Sequence, residues 1–200
     1  MPKKASVTKE MIISVAIDIV QKGESLNVRA VANKLGCSIQ PVFYNFATMD
    51  ELKKAVDACM VKIYDEYVEN CVKNSKYPPY KAIGMAYIGF ARDYPEFFKQ
   101  MFMDENGNKI ISSDNATFLS AIESVCKIFG CDKQTAMRFH LEMWVFVHGF
   151  ATMVATKYIE WDEESVSDMV TDVFEGVKTA LEFETSNRMI DNEFVIAKLD

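Results

Sequence analysis

Apolar residues recur at three- and four-residue spacing along almost the whole chain, and no stretch alternates with the period of two that a half-buried strand needs. Met11, Ile12, Val15, Ala16, Ile19 and Val20 form the first stripe, with Thr8 placed to cap its start and Gly23 to end it. Asn27 is placed to cap a short second helix whose stripe is Val28, Val31, Ala32 and Leu35, closed by Gly36. Ser38 is expected to cap a third helix running to about Phe46. After Thr48 a fourth helix keeps one apolar face for six turns, from Leu52 through Val56, Met60, Tyr64 and Val68 to Val72. Pro78 and Pro79 stop that helix and open the next. Further helices are expected near 79–92, 95–103, 114–129, 133–157 and 163–185, with Gly130 ending one and Asp132 capping its successor. The segment MDENGNK (103–109) reads as an exposed loop, and the last dozen residues have no evident partner. The pattern predicts an all-α chain of about nine helices. A three-helix N-terminal unit over 1–48 is followed by a larger bundle over 49–200.

Composition narrows the class without naming it. Half of the 200 residues are apolar and 26% charged, which excludes a disordered chain and leaves ample material for a core. The most apolar stretch, residues 144–159, contains His148 and Lys157 and is too short and too polar to span a bilayer. MPKKASVTKE has no apolar run behind its positive charge. Five cysteines, an odd number with no metal-binding spacing, read as reduced thiols. Together these predict a cytoplasmic protein with no membrane partner. The net charge of −7 is unevenly spread: residues 1–54 carry eight Lys/Arg against five Asp/Glu, a net +3, and the rest carry −10. A basic front on an acidic body fits a front that meets a polyanion.

The front also has a mechanical signature. In Ala32-x3-Gly36-x5-Val42 a small residue stands where two helices touch, a glycine stands in the turn, and an apolar residue faces back into the angle. A second helix so held sits in a DNA major groove with its first residues against base edges. VRAVANKLGCSIQPVFYNFATMDELKKAV (28–56) resembles the DNA-binding segment of the TetR family of bacterial transcriptional regulators, and residues 8–56 fit that unit without a gap. WVFVHG (144–149) is similar to the Trp-His-Gly signature of one type of TetR C-terminal domain.

The resemblance implies double-stranded DNA, a palindromic operator, as a partner, with Ser38, Ile39, Gln40, Tyr44 and Asn45 at the groove. Gln and Asn can read adenine, and hydroxyls suit phosphate or base. Where Phe43 and Met49 stand, the family usually has a tyrosine and a lysine that contact phosphate. Backbone anchoring is therefore expected of Arg29, Lys34, Thr48, Lys53, Lys54 and the Lys3/Lys4 arm. Methionines and aromatics at helical spacing are ordinarily core. The resemblance makes of them a pocket for a small apolar effector, lined by Tyr87, Phe90, Phe98, Phe102, Phe118, Trp144 and His148. His140, Trp144 and His148 share a helix face, with each histidine expected to be satisfied by a backbone carbonyl. Met169, Val173, Phe174 and Val177 are expected in a homodimer interface.

No nucleophile–base pair, phosphate loop or dinucleotide fingerprint is present, so no catalytic residue, metal site or cofactor is expected. The expected function is that of a sequence-specific regulator, a repressor released by its ligand. Two alternatives stay open. One is a redox-responsive regulator using Cys126 and Cys131. The other is a helical ligand-binding protein that has lost DNA recognition.

Overall fold

The structure, a computed structural model, describes residues 7–103, 116–160 and 162–187. The Lys3/Lys4 arm, the loop expected after Met103 and the last dozen residues lie outside the described residues. The elements are α1 (Lys9–Gln21), α2 (Val28–Leu35), α3 (Gln40–Asn45), α4 (Met49–Lys73), α5 (Pro79–Asp93), α6 (Pro95–Phe98), a π-helical turn (Lys99–Met103), α7 (Ala116–Phe129), α8 (Lys133–Ala155) and α9 (Glu163–Asn187). Among the described residues there is no strand. The fold is all-α, as the periodicity predicts.

Helix ends follow the local chemistry. Thr8, Asn27, Thr48 and Asp132 each accept a backbone N–H three residues on, at Met11, Ala30, Glu51 and Thr135. Gly36 closes α2 in the left-handed region at φ +63°, where a Cβ is costly. Ser38 departs from expectation and caps nothing. The third residue after it is Pro41, which has no N–H to offer, and the chain already turns helically at Ile39, so α3 starts at Gln40. The helix expected over 95–103 is also divided: four α-helical residues give way to the wider π turn.

One cluster of buried residues runs from Ile12 to Val170. On α4, Leu52, Val56, Met60, Tyr64 and Val68, every fourth residue, form the fully buried line. α1 packs against α2, α4 and α6, so the N-terminal unit rests on the bundle through two helices. In the bundle, α5 lies centrally, against α4, α6, α7, α8 and α9. α5 and α8 run in the same direction, because Tyr80 meets His140 and, two turns on, Tyr87 meets His148.

Candidate nucleic-acid interface and ligand cavity

At the N-terminal end, α3 divides its side chains sharply. Val42 and Phe46 are buried against the other helices, while Tyr44 is 92% exposed and Phe43 46%. Ser38, Ile39, Gln40 and Tyr44 form an exposed edge beside Thr8 and Lys9, and Gln40 and Tyr44 stand one helical turn apart. Arg29 and Lys53, at the starts of α2 and α4, are exposed as well.

Three expected DNA contacts are otherwise engaged. The Asn45 amide donates to Val7 O at 3.2 Å and to Pro41 O at 2.8 Å, so it ties α3 to the segment before α1 instead of projecting beside Tyr44. The Lys34 ammonium is held 2.9 Å from Asp18 and 3.3 Å from Glu24, which locks α2 to the end of α1. The hydrogen bond to Asp18 raises the Lys34 pKa first of all, and the reciprocal bonds from Lys22 and Lys34 lower that of Asp18. The Thr48 hydroxyl accepts from Glu51 N–H at 3.1 Å, while the Glu51 carboxylate accepts from the N–H of Ala47, the residue before the cap, at 2.9 Å. Lys9 was not among the expected anchors. Its ammonium lies 5.3 Å above the Phe46 ring, at the edge of the same exposed hollow.

The bundle encloses a cavity of about 380 Å³ walled by α4, α5, α7, α8, α9 and the π turn. Its interior is largely apolar: Ile83, Met143, Val147 and Val170 alternate with the rings of Tyr64, Tyr80, Tyr87, Phe102, Phe118, Trp144 and Phe174. Of the expected lining, Tyr87, Phe102, Phe118 and Trp144 are in the wall. Phe90 and Phe98 are fully buried behind it, Phe90 edge-on to Tyr64 at 5.1 Å and Phe98 stacked on His148 at 5.9 Å. His148 also lies behind the wall, its ring stacked on Trp144 at 4.7 Å. Phe174, expected at the dimer face, also lines the cavity and packs at 5.2 Å from Phe139 and 5.8 Å from Phe129. Periodicity along α9 could not separate the edge of its stripe that meets α5 and α8 from the edge facing outward. Val173 and Val177 are half-buried, and Met169 is exposed.

Both histidines are satisfied by tyrosine hydroxyls rather than by the expected carbonyls. Tyr80 Oη is 3.0 Å from His140 Nδ1, and Tyr87 Oη is 2.9 Å from His148 Nδ1. Burial pushes the His140 pKa down to about 4 and lowers that of His148. Burial raises the pKa of both phenols, which stay protonated and donate. Each imidazole is thus neutral, with its Nδ1 engaged by a phenol. Lys81 and Glu175 are the charged residues of the wall; the Lys81 ammonium donates to Thr171 Oγ1 at 2.7 Å and lies 4.8 Å above the Tyr77 ring. Among the described residues no group of three His, Cys, Asp or Glu could hold a metal ion, and no helix is long and apolar enough to cross a membrane.

Residues 80–176 match the family profile described as "Tetracyclin repressor-like, C-terminal domain". The chain also shares its fold with the multidrug binding protein EbrR, solved in complex with imidazole. The TM-score is 0.54 at 16% identity, over 82% of this chain and 93% of that one, a likeness of fold. No curated protein sequence matches it. The C-terminal part of the chain thus resembles the C-terminal domain of tetracycline-repressor-like regulators. The matched segment starts at Tyr80, the first rung of the tyrosine–histidine ladder. It contains every wall residue except Tyr64 and Pro78. Tyr64 comes from α4, the helix that begins beside α3. Tyr80 and Met143 belong to the methionines and aromatics at helical spacing that the sequence offers for a pocket, whereas Tyr64 satisfies the pattern of plain core on α4. The pairing of two tyrosines seven apart with two histidines eight apart was the available signal.

Proposed function

We propose that this protein is a ligand-responsive, sequence-specific DNA-binding regulator, a repressor released when a small, largely apolar molecule fills the cavity. The single observation that carries the proposal is α4. One unbroken helix starts at the Thr48 cap beside the exposed edge of α3 and places Tyr64 in the cavity wall four turns later. A ligand that prefers one placement of α4 then prefers one placement of the reading helix, which is the differential affinity that coupling requires. Two such helices meet a palindrome if the chain pairs by two-fold symmetry. The exposed Val145, Met153 and Met169 on α8 and α9 support that pairing, because they form apolar surface without a cover in one copy.

Selection of bound duplexes from a random library, at low and at moderate salt, tests the proposal. It predicts a recovered palindrome whose binding survives the higher salt. Unselected sequences whose binding is lost as salt rises would contradict it. Exchanging Tyr44 for alanine is expected to weaken binding of the recovered duplex by roughly tenfold or more, measured by fluorescence anisotropy, without lowering the melting temperature. Asn45→Ala is expected to act differently. It removes two hydrogen bonds that hold α3 and lowers thermal stability as well as affinity.

Cys126 stands beside Cys131, as the redox alternative needs, but burial raises the Cys131 thiol pKa, and a peroxide-sensing thiol needs the opposite shift. The 92% exposure of Tyr44 speaks against a chain that has lost its DNA-reading edge.

A further inference from the structure

Three tyrosines of the cavity wall, Tyr64, Tyr80 and Tyr87, differ in one respect. The hydroxyls of Tyr80 and Tyr87 are spent on His140 and His148. Tyr64 is 4% exposed and lines the cavity, and among the described residues its hydroxyl has no hydrogen-bond partner. A phenol so placed on the wall of an apolar cavity can donate its hydrogen bond to an occupant. Burial holds the Tyr64 pKa above its ordinary value, so the group is a proton donor at any working pH.

We infer that Tyr64 determines specificity in this cavity, donating its hydroxyl hydrogen bond to an uncharged, ring-bearing ligand with an acceptor oxygen such as a carbonyl. The inference rests on the reading of the cavity as the effector site. The rest of the wall agrees. Most of the wall carries no charge: burial keeps His140 neutral, Lys81 and Glu175 are its charged members, and Asp65, the neighbour of Tyr64 on α4, is not part of it. Phe102 and Trp144 add two more aromatic rings to the wall, against which a ring can pack. From Tyr80 to Tyr87 the cavity follows two turns of α5, about 10 Å at the helical rise, which suits two linked rings. Tyr64 is also the residue through which α4 enters the wall. The hydrogen bond that selects the ligand therefore acts on the helix that carries the DNA-reading unit, and ligands without an acceptor bind without the same hold on α4. A site built to hydrogen-bond one polar group discriminates against the isostere that lacks it.

The test uses two probes of one shape, 4-acetylbiphenyl and 4-isopropenylbiphenyl, in which a carbonyl oxygen is exchanged for a methylene. Both are titrated calorimetrically into the full chain and into Tyr64→Phe. The substitution is expected to weaken the ketone about tenfold, to leave the alkene unchanged or tighter, and to keep the ligand-free melting temperature at or above that of the unaltered chain. If both probes bind and the substitution changes them equally, or changes neither, the role of Tyr64 is overturned while the cavity reading stands. If neither probe binds the unaltered chain, the cavity reading fails and the inference fails with it.

Discussion

Phe139→Ala is expected to destabilise the protein by about 3–5 kcal/mol, the range for removing a fully buried aromatic ring. Phe139 has no exposed surface and joins three partners from three other elements: Phe129 at 4.9 Å, Phe174 at 5.2 Å and Tyr80 at 6.0 Å. α5, the end of α7 and α9 therefore meet on one ring of α8. The substitution leaves a void next to a cavity that already exists, so the neighbours have little reason to collapse onto it. Urea denaturation measures the loss directly. A loss below about 1 kcal/mol would mean that the aromatic cluster repacks freely, and the cavity could not then be a preformed site. Trp144→Ala, at a ring 40% exposed, is the comparison and is expected to cost less.

Stability is also expected to fall as the solution is acidified from pH 6.5 toward 4. The folded-state pKa of His140 lies at about 4, below its ordinary value of 6.5. Between those limits the unfolded chain holds a proton that the folded chain refuses. The contribution of the group is therefore complete above the unfolded value and lost as pH falls toward the folded one. The slope approaches ~1.4 kcal/mol per pH unit, or roughly 3 kcal/mol over the window. The shift of His148 has the same sign and adds to it. The depressed carboxylates Asp18, Asp93, Asp132 and Asp162 act mainly below their ordinary value of 3.8, and Glu10 below 4.5, at the acid end of this window. Denaturation curves at several pH values should show the decline, and His140→Asn, neutral throughout, should remove the larger part of it. Equal stability at pH 7 and pH 5 would contradict the buried, neutral imidazoles on which the uncharged cavity depends.

What could be read from the sequence was what neighbours decide. The caps at Thr8, Asn27, Thr48 and Asp132 each involve a backbone N–H three residues away, so the residue and its partner lie within one short stretch. Ser38 defeated the same reasoning because of a second local fact, the missing N–H of Pro41. The buried line of α4 was legible in its four-residue spacing. The candidate sites were legible only in outline. Tyr80 and His140 are sixty positions apart, and nothing in either helix says that a hydroxyl rather than a carbonyl will satisfy the imidazole. Asn45 and Lys34 looked available because their partners, Val7 and Asp18, belong to other elements. Tyr64, Phe98 and Phe174 are alike in pattern, and only the packing of helices separates a ring behind the wall from one within it.

If α4, which starts beside the exposed edge of α3 and reaches the cavity at Tyr64, couples the two, occupancy of the cavity sets the affinity for DNA. Fluorescence anisotropy on the palindrome recovered by selection measures that coupling. The chain is titrated with the cavity empty and again at a concentration of 4-acetylbiphenyl at which calorimetry shows the cavity full. The account predicts duplex affinity at least about tenfold weaker with the cavity full, the scale of an ordinary allosteric coupling. Equal affinity in the two titrations would contradict it.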